Sequence, residues 1–279
     1  MPIQVKKRVL LALIAYLLPF FCGCVPKISK DNSAEELQSI IKVPPPQATQ
    51  KAEYDEWDLT AVDVSHVQHK RKLIALTFDD SPSSTLEAIV AVFLGYNSTH
   101  PMAPATATVF CNGRNVSRHT LPTLFTAYAA GFELGNHTQN HKNLPTLSTE
   151  EIQAEIDQTD QILERIDGQK RHLLRAPFGN IDQRVRSLSQ APIINWFIDT
   201  VDWTGASVDD IYQAVWEGKG DGVIVLMHDG YENTVQALKR LLPDLYDAGY
   251  QVVSVSQMAK AHGCNLKIGG VYTRARRFH

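Results

Sequence analysis

The chain has 279 residues, 44% of them hydrophobic and 20% charged, with a net charge of −3. That supplies apolar material for one large domain or two modest ones. The weakly acidic balance excludes the basic surface that grips nucleic acid, so no nucleic-acid partner is expected.

Lys6, Lys7 and Arg8 precede an apolar run of 13 residues, VLLALIAYLLPFF. A basic start followed by a short apolar run reads as an export signal, and a spanning helix needs about 20 residues. The next residues, Cys22 to Cys24, complete an FCGC stretch that resembles a bacterial lipobox with Cys24 as the lipidated residue. Residues 1–24 are therefore expected to form a signal peptide with a possible lipobox. The protein is expected at the cell envelope, attached to the membrane by a lipid or by an uncleaved signal.

Residues 25–70 read as a tether and an irregular lead-in, because VPPPQATQ (Val43 to Gln50) favours an extended form over helix or sheet. A domain is expected over 71–262 and a C-terminal extension over 263–279. Of the two remaining cysteines, Cys111 and Cys264, an oxidising compartment allows a pair, and two separate thiols are equally compatible.

Seven strand-like runs follow: 72–78, 105–111, 132–136, 172–176, 193–199, 222–228 and 251–256. Trp196 and Phe197, within the fifth, are expected in the core. Helical patterns separate the runs, clearest where Ser148 and Glu151 form a capping-box pair ahead of an isoleucine stripe. Another helix should stop at Gly249. Strands alternating with helices predict a parallel α/β fold, either a doubly wound sheet or a barrel, with function at the C-terminal strand edge.

The strand exits carry the chemistry. The first ends in Asp79 and Asp80, the third in His137 and His141, the fourth in Arg175. The fifth ends in Asp199, Asp202 and Trp203, and the sixth in His228. Asp80 with His137 and His141 makes a two-histidine, one-carboxylate set suited to Zn²⁺ or another first-row divalent ion. Asp79 is then free for proton transfer, and Arg175 is placed to keep it ionised.

TFDDSP, HTQNH, RAPFG, DTVDW and LMH occur in the order and spacing of the polysaccharide deacetylases, the NodB-like domains of carbohydrate esterase family 4. The chain resembles that family over roughly residues 70–260. The resemblance implies a distorted (β/α) barrel of about seven parallel strands. It also implies metal ligands at Asp80, His137 and His141, with zinc or cobalt as the metal. Asp79 would be the general base toward the attacking water and His228 the acid that protonates the leaving amine. Arg175 would orient Asp79, and Asp202 would orient His228. The main-chain N–H of Phe178 would hold the oxyanion, and Trp203 and Leu226 would line the acetyl pocket.

Two positions depart from the family pattern: Ser81 stands where glycine is usual, and Phe178 where tyrosine is commoner. The implied partner is an extracytoplasmic polysaccharide, with peptidoglycan N-acetylglucosamine ahead of chitooligosaccharides and acetylated xylan, and the protein is expected to be a monomer. Two other classes compete: a carbohydrate-binding pseudoenzyme, and an iron oxygenase built on the same triad.

Overall fold

The computed structural model describes residues 56–275. The signal, the lipobox and the proline-rich stretch lie outside the described residues. Among the described residues, no helix is long and apolar enough to cross a membrane.

The described residues form eight strands: β1 (Lys72–Ser81), β2 (Thr108–Cys111), β3 (Glu133–Asn136), β4 (Ile193–Ile194), β5 (Ile198–Asp199), β6 (Val223–His228), β7 (Tyr250–Val252) and β8 (Val271–Tyr272). Between them run α1 (Leu86–Thr99), α2 (Leu121–Ala129), α3 (Thr149–Asp167), α4 (Gln183–Leu188), α5 (Val208–Gly218), α6 (Glu232–Asp247) and α7 (Val255–Ala261).

The main sheet has the order β3-β2-β1-β6-β5, with every pairing parallel. Beyond β3, Leu174 forms single parallel bridges to Asn136 and to Ile193. Because β4 and β5 are halves of one interrupted run, these bridges lead back to β6 and complete an irregular ring. The expected distorted parallel barrel is this ring. β7 and β2 share one edge of β1, since Ile74 and Thr77 each pair with β6 on the other.

Several runs differ from expectation. The fourth shrinks to Leu174, and the fifth breaks between β4 and β5. The last stops at Val252, because Ser254 turns the chain into α7 with a capping box to Gln257. Phe197 is not core: it is 50% exposed and lies under the Arg274 guanidinium. Cys111 and Cys264 are not bonded to each other.

α3 forms where its sequence signals it. Ser148 and Glu151 make the capping box, and Gly168, at φ 79°, ends the helix in the left-handed conformation that glycine tolerates.

β1 is apolar on both faces because both are covered. Phe78 packs edge-on against Phe93 of α1, with ring centroids 6.3 Å apart. The other face of β1 looks into the barrel. There Leu73 and Ala75 join Phe110, Ile194 and Ile224, and Val67, Met258, Leu266 and Ala275 close the bottom. The irregular segment 56–70 belongs to this floor: Trp57, Leu59 and Val64 pack against it, and Trp57 N–H bonds to the Leu266 carbonyl at 2.8 Å. β8 pairs with β4, and Arg274 bridges to Val223.

Candidate active site

Polarity rises along the barrel interior from the floor to the rim. Thr77 and Asp79 follow Leu73 and Ala75 on the interior face of β1, and Leu226 and His228 are their register partners on β6. Asp79 and His228 therefore face the same space from neighbouring strands.

Arg175 fills the layer below them, with none of its surface exposed. Its guanidinium donates to the Ile194 carbonyl at 2.9 Å, to Thr77 Oγ1 at 2.7 Å and to Asp79 Oδ1 at 2.7 Å. It lies 4.0 Å above the Phe110 ring. Gly135 permits this stack, since a Cβ there would lie 2.5 Å from Phe110 Cδ1. Burial alone would raise the Asp79 pKa, but the charges of Arg175, then His137 and His228, outweigh it and hold the carboxyl below its ordinary value.

Strand alternation should send Asp80 to the opposite face from Asp79. A register shift between Phe78 and Ser81, together with φ 63° at Asp80, re-aims it. Asn112 Nδ2 donates to its Oδ1 at 2.6 Å, and Asn115 Nδ2 to its main-chain oxygen at 2.8 Å. Ser81 is outside the left-handed region, so no glycine is needed there. Its hydroxyl donates to Asp229, which also accepts from Ser83 N–H and from Thr85.

His137 and His141 sit in the loop after β3, not on a helix. Thr138 at φ 67° and His141 at φ 56° coil that loop so that the rings meet, with centroids 4.9 Å apart. Asn136 and Glu155 brace it. Asn136 Oδ1 accepts from Thr138 N–H, and its Nδ2 reaches Asp160 of α3 at 2.9 Å. Glu155 takes both the N–H and the side-chain amide of Asn140. His137 Nδ1 donates to the Arg175 carbonyl at 2.7 Å, which turns Nε2 toward Asp79 and Asp80.

The set of Asp80, His137 and His141 offers donor atoms within 4.8 Å of one another. Asp80 Oδ1 is 3.9 Å from His137 Nε2 and 3.8 Å from His141 Nε2. Metal–ligand bonds of about 2.0–2.2 Å place tetrahedral donors about 3.4 Å apart, so a small closure of this set fits a first-row divalent ion. Burial, then the neighbouring His137, lowers the His141 pKa and favours the neutral, ligating ring.

On the opposite wall, Asp202 Oδ1 lies 2.7 Å from His228 Nδ1, and Asp202 Oδ2 accepts from His228 N–H at 2.8 Å and from Thr234 at 2.7 Å. Burial would lower the His228 pKa, but the Asp202 hydrogen bond and the Asp79 and Asp202 charges raise it.

Phe178, at φ 62° and 63% exposed, packs against the His141 ring at 4.8 Å. Trp203, 55% exposed, follows Asp202 at the rim. Leu226 is buried below His228 on the same strand face. Asp199 ends β5 exposed, and its Oδ1 accepts from Val201 N–H. Sequence reasoning missed Asn112, Asn115, Asn136, Glu155 and Asp229. For the three asparagines and Asp229 the only signal was a polar residue near a strand exit, and Glu155, inside α3, carried none.

The sequence profile of the family described as "Polysaccharide deacetylase" matches residues 66–193. Peptidoglycan-N-acetylmuramic acid deacetylase PdaC of Bacillus subtilis is 34% identical over 192 residues, which is 69% of this chain. This chain spans only 40% of that relative's length. A peptidoglycan-N-acetylglucosamine deacetylase of Bacillus cereus is 32% identical over 70% of this chain and 91% of its own. The solved structure of Bacillus subtilis PdaC superposes with a TM-score of 0.64 at 34% identity, covering 70% of this chain and 93% of that one. With this identity over most of the length of the Bacillus cereus relative, and with the fold shared, the chain belongs to the polysaccharide deacetylase family.

Proposed function

We propose that the protein hydrolyses N-acetyl groups of peptidoglycan in a metal-dependent reaction, acting on N-acetylglucosamine. The observation that carries this reading is the pairing of Asp79 with His228 across adjacent strands, each held by its own buried partner.

In this reading Asp79, kept ionised by Arg175, takes a proton from the water that attacks the acetamide carbonyl. As that C–O bond forms, the main-chain N–H of Phe178 donates to the oxygen that gains charge. His228, oriented by Asp202, then gives its proton to the departing nitrogen, which leaves as an amine while acetate forms. Leu226 and Trp203 receive the acetyl methyl. A zinc or cobalt ion held by Asp80, His137 and His141 would supply Lewis-acid polarisation of the carbonyl and a lowered pKa for water.

An export signal and a lipidated Cys24 would place this chemistry beside the cell wall, with the protein a monomer on its tether. A binding protein without turnover has no use for a separately oriented acid and base, which argues against the pseudoenzyme.

The test is acetate release by the protein with added Zn²⁺ or Co²⁺, from N-acetylglucosamine oligomers, from intact peptidoglycan and from acetylated xylan. Asp79→Asn and His137→Ala run alongside. Release from peptidoglycan, lost in both variants, supports the reading. Mass analysis of the digested product then shows whether glucosamine or muramic acid has lost its acetyl group. Release from xylan alone, or from no substrate, would sink it.

A further inference from the structure

Asn112 leaves β2 in extended conformation, so alternation keeps it on the interior face, two residues beyond Phe110. It is wholly buried. Its amide donates to Asp80 Oδ1, the same oxygen that lies nearest His137 and His141. Its own Oδ1, by contrast, is buried without a hydrogen-bond partner.

A buried amide left half-paired costs stability relative to an apolar side chain of similar shape. The preceding residues Val109, Phe110 and Cys111 are apolar and fully buried, so the local packing favours an apolar residue here too. The benefit of the amide therefore lies at Asp80. That residue has a left-handed backbone and its main chain is already held by Asn115, which leaves the carboxylate as the remaining freedom.

We propose that Asn112 is a positioning residue for metal binding, which presents the Asp80 carboxylate to the cation shared with His137 and His141 and does so at the expense of fold stability. The inference rests on the metal-dependent reading above.

Zinc affinity, measured by competition with a chromogenic chelator, and the melting temperature of the metal-free protein separate the possibilities. Full-length wild type, Asn112→Leu and Asn112→Ala are compared. Both variants should bind Zn²⁺ about 10–100-fold more weakly than wild type. Metal-free Asn112→Leu should melt no lower than wild type, while Asn112→Ala, which leaves a cavity, should melt lower. Equal loss of affinity with unequal melting is the signature of positioning.

A structural role alone would make affinity follow stability. The inference is overturned if either folded variant binds Zn²⁺ within about twofold of wild type, or if Asn112→Leu melts well below it. Absence of zinc binding in the wild type overturns the metal reading itself, and the wild-type arm reveals that before any variant is compared.

Discussion

Asp79 and His228 are register partners on adjacent parallel strands, and a different buried group locks each of them: Arg175 the carboxylate, Asp202 the imidazole. Their environments push the two pKa values in opposite directions, Asp79 down and His228 up. An ionised carboxylate and a protonated imidazole thus coexist over one pH range.

Arg175 should matter to folding as well as to chemistry. Replacing it by Met leaves Asp79 buried without its partner, at a cost of about 3–5 kcal/mol. Adding Asp79→Asn to that variant should recover much of the loss, because the unpaired charge disappears. Urea unfolding of the two single variants and the double one measures this coupling. Simple additivity would refute it.

Asp202→Asn should lower turnover by about 10²–10⁴-fold and reshape its pH profile. His228 must hold a proton to act as the acid, and Asp202 raises its affinity for that proton. Without the carboxylate the proton leaves at lower pH, so the alkaline limb of the rate profile should move toward acid. An unmoved limb would mean that another group sets it.

A second buried histidine tunes stability. His172 lies between Asp160 and Asp167, at 2.9 and 3.2 Å, and its pKa is raised from 6.5 to about 9. Burial opposes this, and the two carboxylates outweigh it. The folded pKa exceeds the unfolded one, so the stabilisation is complete below pH 6.5 and is lost as pH rises through about 9. Its size is on the order of 3 kcal/mol. Unfolding free energies at acid and alkaline pH should show that loss in wild type and a flatter response in His172→Gln.

Five residues other than glycine adopt left-handed backbones among the described residues: Asp80, Thr138, His141, Phe178 and Val201. Asp80 lies near the rim end of β1, and the other four lie in loops or turns. Val201 is β-branched and 44% exposed, so its φ of 47° is strained without a packing benefit. Val201→Asn should stabilise the fold by about 1 kcal/mol. A lower midpoint in urea would show that the turn needs valine.

The strands whose polar tips form the site were legible because an apolar run that stops at a charged residue marks where a buried strand reaches solvent. β1, β3 and β6 appear close to the expected places. The run around Leu174 was less legible as a strand, because one bridging residue is all that pairs there. Phe197 looked like core because hydrophobicity does not record which strand face is covered. The titratable side chains that meet at the rim were also readable. The amides that hold them were not, since Asn112 and Asn136 resemble ordinary strand-end polar residues until their partners on distant segments are known.

Domain limits drawn from the motifs alone would cut away the floor. A chain trimmed to 71–262 lacks Trp57, Leu59, Val64, Val67, Leu266 and Ala275, all of which pack on the core cluster beneath the barrel. It should be insoluble or molten, which near-ultraviolet circular dichroism would reveal. A cooperative, native-like melt would show the floor to be dispensable.

That floor also fixes where the described chain enters the barrel. Glu56 pairs with Lys267 beneath the barrel, at the end opposite Asp79 and His228. The described chain therefore enters at the end away from the candidate site, as a cup is held by its stem.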